Sequence, residues 1–184
     1  PYYRELPDGT IKQVNPFTGT KVWTVPGRGA RPLGKPAEQT RELTDHDRRA
    51  ACVFCPDNCL STPPEKTRLV KRAGGLVRGH DLIRCVPADR LDATVPEFRR
   101  VPNLFEILSW RYWQLNWGMS LPRAARDWQE EYLSNPSGEA HVRSVLNVKF
   151  KAVGSDRRVE DLGPQELREA SAAFFAGGHD VIVA

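Results

Sequence analysis

Cys52-Val53-Phe54-Cys55-Pro56-Asp57-Asn58-Cys59 runs on into Thr62-Pro63-Pro64-Glu65. Two cysteines with two residues between them bring a pair of soft thiolates within reach of one tetrahedral ion, an arrangement that suits Zn²⁺. The same spacing serves dithiol redox chemistry, and a structural zinc site needs four ligands. Cys52 and Cys55 are the first two candidate ligands, and Cys59 can reach the same ion if the segment turns tightly. Cys85 lies in a β-prone run and reads as a small buried hydrophobe. His46, His80, His141 and His179 are scattered, none at ligand spacing from another, so each reads as a surface or hydrogen-bonding histidine.

The flanks give the chain its order. Asn15-Pro16-Phe17-Thr18-Gly19 is a turn-forming cluster between two β-prone runs, Ile11 to Val14 and Lys21 to Val25, and predicts a hairpin. From Pro26 to Arg49 the chain is rich in Gly, Pro and Arg without apolar periodicity, which predicts a long ordered loop. Within it, Gly27-Arg28-Gly29-Ala30-Arg31-Pro32 sets two arginines among glycines, a composition that suits a phosphate or nucleotide and also occurs in solvated loops. Arg68 to Val70, Leu76 to Arg78, Leu82 to Val86 and Phe98 to Val101 read as strands, the last closed by Pro102-Asn103. The character then turns helical. Pro122 opens a helix that runs through Trp128 and Tyr132 to Asn135-Pro136. A second covers Glu139 to Val153, and a third runs from Pro164 to Ala176 with Gly177-Gly178 as its stop. The stretch from Ser109 to Trp117, with Trp110, Trp113 and Trp117, is either a core-facing helix or an aromatic contact surface. Asp180 to Ala184 reads as a buried strand. Its end inside an apolar run is expected either of a chain that continues past Ala184 or of a native strand docked at a sheet edge.

Cys-x-Phe-Cys-Pro-x-Asn-x-x-x-Thr-Pro-Pro-Glu resembles the zinc-knuckle segment of galactose-1-phosphate uridylyltransferases, a branch of the histidine-triad superfamily. The order of Asn15 to Gly19, Val22 to Val25, Arg28 to Pro32 and then Cys52 is similar to that family, as is Pro102-Asn103-Leu104-Phe105. Gly178-His179-Asp180-Val181-Ile182-Val183 also resembles its closing strand, with Asp180 where Glu is usual. The resemblance implies an α+β fold, an antiparallel half-barrel sheet of histidine-triad type with flanking helices. Residues 1–105 and 177–184 would form that domain, and residues 106–176 a helical insertion longer than the family's connection. It implies zinc as cofactor, with the third and fourth ligands supplied by histidines beyond Ala184. It places Arg28, Arg31, Phe54 and Asn103 around a nucleotide; for Asn103 a contact to the nucleoside and the capping of a helix stay open side by side. The implied activity is cytoplasmic nucleotidyl transfer in galactose metabolism, between a nucleoside diphosphate sugar and a sugar 1-phosphate, by a homodimer. The covalent nucleotidyl-histidine would form on a His-x-His-x-Gln motif. No His-x-His occurs in these 184 residues, so residues 1–184 alone are expected to be inert. A nucleotide-sugar or dinucleotide phosphorylase of the same superfamily is the near alternative.

Composition is consistent with this and excludes little. Charged residues are 27% of the chain against 40% hydrophobic, which describes a soluble globular protein. No apolar run approaches the ~20 residues of a membrane span. No secretory signal is seen, and the clustered cysteines fit a reducing cytoplasm. The net charge of +4 favours anionic partners in general. It leaves open a different class of function, a non-enzymatic zinc-knuckle protein that binds nucleic acid through its arginine-rich loops.

Overall fold

The computed structural model describes residues 2–26, 42, 44–72, 79–106, 108–153, 155–178 and 180–183. Its architecture is α+β, with two antiparallel sheets and five α-helices among the described residues. The chain divides into two compact units, Pro1–Glu42 with Ile107–Ser120, and Leu43–Glu106 with Leu121–Ala184. The helical residues read as one insertion are thus shared between both units. None of the helices is long and apolar enough to cross a membrane, among the described residues.

The first unit is a meander of β1 (Tyr3–Glu5), β2 (Ile11–Val14) and β3 (Lys21–Thr24). The β2–β3 turn forms as its residues predict. Asn15 Oδ1 accepts from the N–H groups of Phe17 (2.8 Å) and Thr18 (3.1 Å), and Gly19 takes the left-handed φ of +70° that closes it. Three residues, Tyr-Arg-Glu, carry no apolar alternation, and β1 was not expected from them. Its ladder with β2 supplies the order that its composition lacks. Helix α2 (Trp110–Trp117) belongs to this unit; Ser109 caps it, accepting from Tyr112 N–H at 3.3 Å. Trp110 and Tyr112 are buried, as a core-facing helix requires, whereas Trp117 is 67% exposed.

The second unit begins with α1 (Asp45–Ala51), where a loop was expected. Thr44 and Asp47 form a reciprocal capping box, Thr44 Oγ1 accepting from Asp47 N–H and Asp47 accepting from Thr44 N–H. That local start signal outweighs the missing apolar periodicity. The sheet has the order β5-β4-β6-β7, formed by β4 (Thr67–Lys71), β5 (His80–Arg84), β6 (Pro96–Pro102) and β7 (Asp180–Val183). Leu76 to Arg78 lie outside the described residues. β5 stops at Arg84, and Cys85 follows at φ +52° with its side chain exposed, contrary to the buried place in a strand expected of it. Among the described residues β7 pairs with β6 alone, at the edge of the sheet, with Ile182 72% exposed, and is not the buried strand expected from its apolar run. Asp180 fixes it in place: Lys66 Nζ lies 2.6 Å from Oδ1, and Arg100 Nε donates to Oδ2 at 2.7 Å.

Helices α3 (Arg123–Ser134), α4 (Pro136–Ala152) and α5 (Pro164–Phe175) form the main core with the sheet. Tyr132, Val142, Val145, Leu146, Leu167, Phe174 and Phe175 are its centre. Each such fully buried side chain is worth about 1.5–3 kcal/mol. α4 starts at Pro136, not Glu139, because Asn135 caps it through Ser137 N–H (2.9 Å) and Pro136 occupies the first turn. The Asn-Pro pair that ends α3 therefore also begins α4. A Cβ on Gly138 would lie 2.0 Å from the Tyr132 carbonyl oxygen, so only glycine lets the two helices approach so closely.

Candidate functional site

Cys52 is the C-cap of α1, and the chain turns at once: Cys55 N–H donates to Cys52 O at 3.1 Å. Pro56 then opens a 3-10 turn over Pro56–Ser61. Asn58 braces the knuckle from inside, its Nδ2 donating to Cys52 O at 2.8 Å and its backbone N–H to Cys55 O at 2.8 Å. A hydrogen bond from Cys55 holds the Cys52 thiol below its ordinary value, and the backbone N–H groups of Phe54 and Cys55 act in the same direction. The two sulfurs are thus neighbours, and one of them is biased toward the thiolate that a metal ion takes. Cys59 is turned inward instead. It is 4% exposed, packs with Val86 and Leu91, and has its sulfur 3.9 Å from Arg68 Nη2. Among the described residues, no group of three or more His, Cys, Asp and Glu side chains is placed to hold a metal ion. The donor set therefore fits zinc in half: Cys52 and Cys55 are disposed to ligate, and further ligands have to come from elsewhere.

Beneath the knuckle lies a buried charge cluster that anchors it to the sheet. Glu65 and Arg68 are fully buried and Arg99 is 3% exposed. Arg68 Nε donates to Glu65 Oε1 at 2.7 Å, and Arg99 Nε donates to Oε2 of the same carboxylate at 2.8 Å. Arg68 Nη1 reaches the carbonyls of Leu91 and Thr94, both at 2.7 Å. Arg99 Nη2 donates to Thr62 Oγ1 at 2.8 Å and to the Cys59 carbonyl at 3.3 Å. Arg68 sits in β4 and Arg99 opposite it in β6, so Glu65 at the end of Thr-Pro-Pro-Glu clamps the knuckle across two paired strands. The cluster holds two cations and one anion, and Arg99 Nη1 is buried without a hydrogen-bond partner. Sequence reading quoted Glu65 but missed its partners. The available signal was that an arginine on the core-facing side of a strand needs a buried counter-charge.

His141 extends the same network from α4. Its Nε2 lies 2.8 Å from the Thr62 carbonyl, and Tyr132 Oη lies 2.7 Å from Nδ1. A carbonyl only accepts, so Nε2 carries the proton and the Tyr132 hydroxyl donates to Nδ1. Burial pushes the pKa of this imidazole down, and nearby Arg99 acts in the same direction. Burial also pushes the Tyr132 phenol up. With both nitrogens engaged and the ring 4% exposed, His141 is a structural hydrogen-bonding residue, in line with its sequence reading. His80 meets Glu97 at the surface, and His46 is exposed on α1. His179, Arg28 and Arg31 lie outside the described residues.

Asn103 follows β6 directly, and its Oδ1 accepts from Phe105 N–H at 3.0 Å. This is a local turn and not the helix cap weighed for it, since the next helix is α2, capped by Ser109; its Nδ2 has no partner among the described residues. Phe54 is 40% exposed on the knuckle. No curated protein and no solved structure matches the chain. A family model described as a domain of unknown function (DUF4921) covers residues 6–184, hence the knuckle and every described element from β2 onward, and the chain belongs to that family.

Proposed function

We propose that this chain is the N-terminal portion of a zinc-containing nucleotidyltransferase of the galactose-1-phosphate uridylyltransferase type. The observation that carries the reading is the adjacent Cys52–Cys55 pair, with Cys52 biased toward the thiolate, on a knuckle that Glu65 clamps to the sheet. The antiparallel order β5-β4-β6-β7 with helices beside it supports a half-barrel of histidine-triad type. Cys52 and Cys55 would hold the zinc, which stiffens the knuckle when bound. Arg28 and Arg31 bind the phosphates, while Phe54 and Asn103 meet the nucleoside. The attacking imidazole would come from sequence after Ala184, because His141 is locked in the core and no histidine pair has the required spacing. Its nitrogen bonds to the α-phosphorus as the bond to the bridging oxygen breaks and the sugar 1-phosphate leaves. A second sugar 1-phosphate then attacks the same phosphorus and releases the histidine.

Calorimetry of a chain extended past Ala184 with a nucleoside diphosphate sugar tests the assignment. Arg28→Ala and Arg31→Ala are each expected to weaken binding about tenfold, the size of one lost charge-assisted contact. Unchanged affinity in both variants would return the loop to a solvated surface.

A further inference from the structure

The meander of the first unit carries its charges in an unusual way. Strand register places Arg4 opposite Lys12, and Lys12 opposite Trp23. Alternation puts Leu6, Val14 and Lys21 on that same face, and Tyr3, Glu5, Ile11, Gln13, Val22 and Thr24 on the other. Glu5, the one acidic residue in the three strands, is therefore turned away from the three cations. Like charges directly opposite each other destabilise a sheet. Among the described residues, none of Arg4, Lys12 and Lys21 has an ion-pair partner, and Lys12 Nζ rests 5.2 Å from the centre of the Trp23 ring. Asp8, which adjoins Asn116, is already engaged by the backbone N–H and hydroxyl of Thr10.

These cations line a cleft of about 380 Å³ together with Tyr112, Asn116 and Trp117 of α2. That volume lies within the roughly 300–1,000 Å³ range of small-molecule sites. Three cations offer charge-assisted hydrogen bonds to phosphate oxygens, the Trp117 indole offers a face for a flat ring, and Asn116 offers an amide. We propose that this cleft binds the phosphate groups of a free nucleotide, with the base against Trp117. The inference uses residues separate from those of the transferase reading and stands without it.

Amide NMR of the full chain, titrated with pyrophosphate and with UDP, tests the proposal. Both probes are expected to shift resonances of β1, β2, β3 and α2 saturably, and less so at high salt. Lys12→Gln with Lys21→Gln should weaken both probes at least tenfold without lowering the melting temperature, because it removes like-charge opposition. Trp117→Ala should weaken UDP alone. Arg28→Ala should leave the pyrophosphate shifts in place; their loss would fold this cleft into the nucleotide site proposed above and overturn it as a separate one. Absence of saturable shifts on these elements, or undiminished binding by the double variant, would also overturn it. A short single-stranded RNA that binds more than tenfold tighter than UDP would replace the small-ligand assignment with a nucleic-acid surface.

Discussion

The two sheets handle positive charge in opposite ways. Under the knuckle, Arg68 and Arg99 are buried and share the carboxylate of Glu65, and their remaining donors are largely spent on carbonyls and hydroxyls. On the meander, Arg4, Lys12 and Lys21 are gathered on one face with no ion-pair partner among the described residues. A buried ion needs a partner at hand, because desolvation costs several kcal/mol. A cation at the surface is hydrated and can wait for a ligand. The first arrangement therefore describes architecture, and the second describes a binding face.

Removing the shared anion should break the comparison most strongly. Glu65→Gln leaves two buried guanidinium groups without counter-charge, and unfolding in urea is expected to show a loss of about 3–5 kcal/mol. A loss under about 1 kcal/mol would mean that the cluster does not hold the knuckle to the sheet. Acid should act on the same network more gently. His141 is neutral in the folded protein with its pKa depressed by burial, while the unfolded chain protonates it near the ordinary value of about 6.5. Its contribution is present above that pH and lost as pH falls toward the folded value, with a slope of up to about 1.4 kcal/mol per pH unit. Urea midpoints measured from pH 7.5 to 5 should decline for the wild type and flatten in His141→Gln; equal slopes would show that His141 is not the group responsible. By contrast, the double lysine variant of the meander should leave stability unchanged or slightly raised, since like charges opposite one another are worth at most about 1 kcal/mol.

Local chemistry made some elements legible and tertiary pairing hid others. The β2–β3 hairpin followed from Asn15 to Gly19, and α3 and α5 from Pro122, Pro164 and the residues that stop them. β1 and α1 were missed, since one is a three-residue strand defined by its neighbour and the other a seven-residue helix fixed by its cap. The placement of Cys85 failed because a positive φ ends β5 just there, and hydrophobic pattern does not encode that. In the candidate site, the cysteine pair was visible as a spacing. The Glu65–Arg99 contact was not, because 34 residues separate its partners and only the β4–β6 register brings them together. The cationic face was equally hidden, since Arg4, Lys12 and Lys21 align only once three strands are set in register.

Zinc at the knuckle is the claim on which the functional reading turns, and metal analysis of the purified protein beside Cys52→Ser tests it most directly. Two adjacent thiol donors, one biased toward thiolate, predict bound zinc in the wild type and a large loss of it in the variant. Cys59→Ser should leave zinc content unchanged, because the Cys59 sulfur is committed to the core beside Arg68. Equal zinc in wild type and Cys52→Ser, or none in either, would contradict the account.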